Sequence, residues 1–152
     1  MNNAVEVQLA HDDELVPDGP RITAWVDCAL KSVQKSAVSI TVRVVTPDEM
    51  QNLNDRYRGQ DSATNVLSFP SENFGSQCAG VSGDIVVCAV IVETEAQEQN
   101  KATDAHWAHM IIHGVLHLCG YDHTNDAVAA DMESLEVLIL HQLGFPDPYQ
   151  LH

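Results

Sequence analysis

Val5 to Leu9 alternates apolar and polar residues, the period of a half-buried strand. Asp18-Gly19-Pro20 then opens a helix, because proline suits the first helical position. Ile22, Trp25, Ala29 and Val33 recur on one face of it. Ser39 to Val45 is β-branched and alternating, which predicts a second strand. Thr46-Pro47-Asp48-Glu49 has the form of a capping box, so a helix follows through Met50, Leu53 and Tyr57 until Gly59 stops it. Arg56 and Arg58 fall in its last turn.

Val66 to Phe69 reads as a short strand, and Pro70 places it at a sheet edge, since proline cannot donate to a ladder. Residues 71–83 are rich in Ser, Gly, Asn and Gln and predict a loop. Asp84 to Cys88 follows as a buried strand, and Val90 to Gln99 as a helix. The segment 104–119 is apolar nearly all round, the mark of a helix buried at the centre of a fold. Residues 126–143 form the last helix, with Val128, Met132, Leu135 and Ile139 on one face and Gly144 and Pro146 closing it. The expected class is α+β: one domain over residues 1–152, a small mixed β-sheet packed with about five helices, one of them central.

Composition narrows the function. The chain has 152 residues, 22 acidic against seven basic side chains, and a net charge of −15. All seven basic residues lie at or before Lys101. That balance argues against a general binder of nucleic acid, DNA included. An anionic substrate would need a locally positive site, supplied by a metal ion and a few arginines. The start of the chain lacks the basic and apolar regions of a signal peptide, and Ile85 to Val92, the longest apolar run, is too short to cross a bilayer. A cytosolic protein without a membrane partner is expected. Cys28, Cys78, Cys88 and Cys119 form no C-x-x-C pair and read as buried free thiols.

The chemistry concentrates at His113-Gly114-Val115-Leu116-His117-Leu118-Cys119-Gly120-Tyr121-Asp122-His123. Residues four apart on a helix share a face and sit about 6 Å apart along the axis, so the rings of His113 and His117 can converge on one ion. Gly120 can take a left-handed conformation and bring His123 back beside them. Three imidazoles and no nearby fourth ligand describe an open coordination position, suited to a catalytic zinc, with nickel or cobalt also able to accept imidazole. On a buried helix, such rings would be costly without a metal. His106 and His109 share that helical face and read as polar contacts near the helix start, with His109 also placed to reach substrate or support a ligand. Asp122 is either a turn residue or a carboxylate orienting a histidine ring. Cys119 points away from the ligand face and reads as packing.

The spacing also fits the metzincin protease pattern H-E-x-x-H-x-x-G-x-x-H, except that Gly114 stands where the glutamate base belongs. A peptidase would therefore lack its obvious base.

The chain resembles the YbeY family of bacterial endoribonucleases. The family's H-G-x-L-H-L-x-G-Y-D-H is matched from His113 to His123, and its N-x-x-Y-R-G-x-D and T-[ND]-V-L-S-F-P segments from Asn54 to Pro70. Gly83-Asp84-Ile85-Val86-Val87, the segment Ala105 to Met110, and Asp147-Pro148-Tyr149 also match. Ser82 departs from the leucine that usually precedes Gly-Asp, at a position read as loop. The resemblance implies a single-strand-specific, metal-dependent endoribonuclease of ribosomal RNA processing, including 16S 3′-end maturation, and of ribosome quality control. It implies His113, His117 and His123 as metal ligands and Arg58 as a functional arginine that contacts phosphate. Implied partners are single-stranded RNA, ribosomal RNA, the ribosome or small-subunit assembly factors, and ribosomal proteins. Arg56 either steers RNA or is a solvated helix charge. Two rivals stand beside this reading: a metal-dependent peptidase or other hydrolase, and a non-enzymatic ribosome-assembly factor with a structural zinc.

Overall fold

A computed structural model describes residues 5–9, 16–71, 80–121 and 126–149. Among them the order is β1 (Val5–Leu9), α1 (Gly19–Ser32), β2 (Ser36–Val45), α2 (Pro47–Arg58), β3 (Val66–Pro70), β4 (Gly80–Cys88), α3 (Ala89–Glu98), α4 (Thr103–Leu118) and α5 (Asp126–Gln142). The strands form one sheet in the order β1-β2-β4-β3. β1, β2 and β4 run parallel, and β3 lies antiparallel to β4 at the edge. The fold is α+β with a mixed sheet and helices around it, as the periodicities predict.

Local chemistry sets the helix starts. Asp18 accepts from the Arg21 backbone N–H, and Thr46 from that of Glu49. The Glu49 carboxylate turns to Arg43, 3.6 Å away. Gly59 ends α2 with φ 67°, in the left-handed region the sequence anticipates there.

The sheet is covered on both faces. Ile85 and Val87 of β4 face the larger core, built with Ile22, Val26 and Leu30 of α1, Ile111, Ile112 and Val115 of α4, and Met132, Ile139 and Leu140 of α5. Val86 and Cys88 face a smaller core with Val45, Leu67 and Met50 of α2. α4 is the central helix: from His106 to Leu118 every residue is buried except His113 and His117.

Two predicted boundaries move. Residues 80–83 are strand, not loop: Gly80 and Val81 pair with Ser36 and Ala37, and Gly83 pairs with both Ile40 and Pro70. Small polar residues signal a loop locally, but the neighbouring strands supply the ladder. Ser82 accordingly sits in β4, where its hydroxyl donates to the Ser39 carbonyl at 3.0 Å. The second strand likewise starts at Ser36 rather than Ser39.

Candidate active site

Packing of α4 against the sheet edge builds the site. A Cβ on Gly114 would lie 2.8 Å from Ile85 Cγ2 and 3.3 Å from Ser68 Oγ, so only glycine lets the helix sit this close. The Ser68 hydroxyl donates to the Gly114 carbonyl at 2.9 Å and pins the helix to β3. Position 114 thus faces the sheet, and a glutamate there has no room. At the end of α4, Tyr121 N–H bonds to Leu116 O and Gly120 N–H to His117 O, a Schellman closure with Gly120 at φ 102°.

His113 and His117 open into a cleft of about 300 Å³, lined also by Arg58, Ser68, Pro70 and Tyr121. Their Nε2 atoms lie 3.0 Å apart, with ring centroids at 4.5 Å. Two lone pairs do not approach this closely unless a proton or a cation lies between them. Nitrogens bound to one tetrahedral zinc at 2.0–2.1 Å stand about 3.3 Å from each other, close to this separation. The rings are only partly buried, and His113 has a carboxylate partner. The expected cost of burying partnerless imidazoles therefore does not apply, and the convergence of the two nitrogens replaces it as the argument for a shared ion.

That partner is Glu136 of α5, which the apolar stripe of the last helix gave no reason to single out. Its side chain has no solvent exposure, and its Oε2 lies 2.9 Å from His113 Nδ1. Burial alone would push this carboxyl up, but hydrogen bonds with His109, His113 and Tyr149 and the nearby His109 hold it down at about 2. A carboxylate accepts the proton of His113 Nδ1, which leaves the lone pair on Nε2 facing the cleft. This is the arrangement by which carboxylates orient metal-ligating histidines. The available signal in sequence was a charged residue four after Met132 and three before Ile139, inside a buried face.

The other predicted residues fall as follows. His109 Nε2 lies 3.2 Å from both Glu136 Oε1 and the Tyr149 hydroxyl, and its ring meets that of His113 edge-to-face at 6.4 Å, so it borders the histidine pair without placing its Nε2 in the cleft. The Tyr149 hydroxyl donates to Glu136 Oε1. His106 pairs instead with Glu95 Oε1 at 2.9 Å. Burial lowers its pKa below the ordinary histidine value, against the hydrogen bond and charge of Glu95. Arg58, the last residue of α2, reaches over the edge strand and donates from Nη2 to the Ser68 carbonyl at 3.0 Å. It thereby shares the cleft with the histidines, whereas Arg56 is an exposed residue of the same turn. Ser68, which sequence reasoning also passed over, joins the two halves, since its carbonyl holds Arg58 and its hydroxyl holds α4.

Cys119 packs against the larger core, and burial pushes its thiol up to about 11, the state of a packing group. Cys88 is buried and Cys28 partly so, both free, while Cys78 lies outside the described residues. Asp122 and His123 also lie outside them, immediately after the cleft-lining Tyr121. Among the described residues no three His, Cys, Asp or Glu side chains gather as a metal-binding group. The described donors are two nitrogens, correctly oriented and spaced, and they fit a metal that takes its remaining ligands from elsewhere.

The family model for endoribonuclease YbeY matches residues 10–144. The solution structure of TM1509 from Thermotoga maritima is similar to this chain with a TM-score of 0.57 and 26% sequence identity, covering 96% of this chain and 99% of that one. A match that takes in the cleft, both histidines, Arg58 and Glu136 places the chain in the endoribonuclease YbeY family.

Proposed function

We propose that the protein is a metal-dependent endoribonuclease that cuts single-stranded regions of ribosomal RNA, including the 3′ end of 16S RNA, and serves ribosome quality control. Membership of an endoribonuclease family supports hydrolysis of RNA. The observation that supports a metal-assisted reaction is one cleft lined by Arg58 and by His113 and His117, whose Nε2 atoms converge.

In this reading His113, His117 and His123 hold one ion, zinc by preference and nickel or cobalt as substitutes. When bound, such an ion acts as a Lewis acid and lowers the pKa of water toward neutrality. Glu136 keeps His113 in the tautomer that offers Nε2 to the cleft. Arg58, its guanidinium fixed by the Ser68 carbonyl, donates to a phosphate oxygen as negative charge builds. Ser68 sets the distance between that arginine and the histidine helix. The edge strand forms one wall of the cleft and Tyr121 another, so the phosphodiester is approached from the open side. A cytoplasmic setting, with ribosomal RNA, assembly factors and ribosomal proteins as partners, belongs to the same proposal. The acidic surface suits docking on basic ribosomal proteins.

The test is cleavage of labelled single-stranded and duplex RNA, with a peptide library in parallel, by wild type and Arg58→Ala at measured metal content. Wild type should cut only single-stranded RNA. Arg58→Ala should lose at least 100-fold in rate, on the scale of removing one transition-state donor, at unchanged metal content and Tm. Cleavage of peptides but not RNA, or full activity in Arg58→Ala, would overturn the reading.

A further inference from the structure

We propose that Tyr57 is a base-stacking platform: a nucleobase of single-stranded RNA, next to the phosphate held by Arg58, lies on its ring. The inference rests on the proposed ribonuclease reading and adds a substrate contact to it. Tyr57 is 58% exposed, the most exposed of the large hydrophobic side chains among the described residues. It stands one residue before Arg58, in the last turn of α2. Its ring does not hang free. It packs edge-to-face on Phe69, with centroids 5.3 Å apart and planes at 63°. The Arg58 guanidinium lies 5.9 Å from the same Phe69 ring and lines the cleft. Phe69 thus holds both an exposed aromatic face and the cleft arginine, across the rim of the edge strand between Ser68 and Pro70, which themselves line the cleft.

The chemistry of the turn selects the occupant. An apolar protein partner would want a wider hydrophobic patch, whereas here one ring sits beside two of the chain's seven basic residues, Arg56 and Arg58. In a chain of net charge −15, this is where an anionic ligand finds cations. Single-stranded RNA pairs phosphates with such cations and stacks unpaired bases on aromatic faces. A duplex keeps its bases stacked internally and offers none, so the platform also supplies single-strand preference.

The experiment measures anisotropy of a fluorescent single-stranded RNA oligonucleotide, shown to be intact on a denaturing gel after each reading, with metal-replete wild type, Tyr57→Ala and Tyr57→Phe, each checked for unchanged Tm. It is repeated with the oligonucleotide carrying one abasic site at each position in turn. Loss of one stacked base should weaken Tyr57→Ala binding roughly 5- to 100-fold, with Tyr57→Phe near wild type. One abasic position should cost wild type a similar factor and cost Tyr57→Ala almost nothing more. Equal binding by wild type and Tyr57→Ala, or abasic penalties identical in both, would overturn the platform while leaving the nuclease intact. Wild type that neither binds nor cuts single-stranded RNA would overturn both.

Discussion

A carboxylate withdrawn from water must be held by something else, and Glu136 is held by His109, His113 and Tyr149. The hydrogen bond with His113 decides which ring nitrogen faces the cleft. Glu136→Gln keeps the size but puts an amide where a charged acceptor stood. Metal affinity, read by competition with a chromogenic chelator, should fall by about 10- to 100-fold. An unchanged affinity would mean that His113 is oriented by something other than Glu136. Tyr149 closes the far side of this carboxylate, and its hydroxyl is pushed far up by burial and by Glu136, so it remains a donor at any working pH.

At the scale of elements, the site depends on how closely α4 approaches the sheet edge. Gly114→Ala places a methyl 2.8 Å from Ile85 Cγ2. Strain of this kind should cost about 1–3 kcal/mol in urea unfolding, and cleavage should fall with it as the histidines shift away from Arg58. A variant as stable and active as wild type would show that the helix can move without consequence. The other end of α4 is joined to α3 by His106 and Glu95, and Asn65 ahead of β3 donates to the same Glu95 carboxylate. Because burial depresses the pKa of His106, the unfolded chain takes up its proton first as pH falls below about 6.5. Stability from this group is therefore present above that pH and lost below it, down to the lower folded-state value. His106→Asn should show a shallower fall in Tm between pH 7 and 5 than wild type; an equal or steeper fall would contradict the assignment.

For the molecule as a whole, a metal shared by α4 and the segment just after Gly120 would lock the end of the central helix to the turn that follows it. Chelation should abolish cleavage and lower Tm together, and added zinc should restore both. Retained activity after verified metal removal would sink the proposed mechanism. Among the described residues no helix is long and apolar enough to cross a membrane. The few arginine–phosphate contacts at the cleft should make RNA binding weaken as salt rises, with a small slope, because salt also screens the repulsion between RNA and a chain of net charge −15.

Periodicity, caps and glycine stops are local properties, so the kinds and order of the elements, the edge position of the strand ending at Pro70, and the central, all-round apolar α4 were legible along the chain. The i, i+4 spacing likewise placed His113 and His117 on one face, because helix geometry needs no tertiary information. What those rings face follows from packing alone. Glu136 lies 23 residues from His113, and Ser68 lies 46 from Gly114, so nothing in either local pattern links them. The same holds for residues 80–83, whose strand state comes from β2 and β3. Arg58 stood in the sequence as a cation of the last turn of its helix, and only the family resemblance implied a phosphate contact for it. Its reach across the edge strand to the Ser68 carbonyl, into the cleft of the two histidines, is a property of packing between α2, β3 and α4. Spacing along the chain could name the ligand candidates, but their orientation and the arginine beside them in the cleft arise from contacts between segments far apart in sequence.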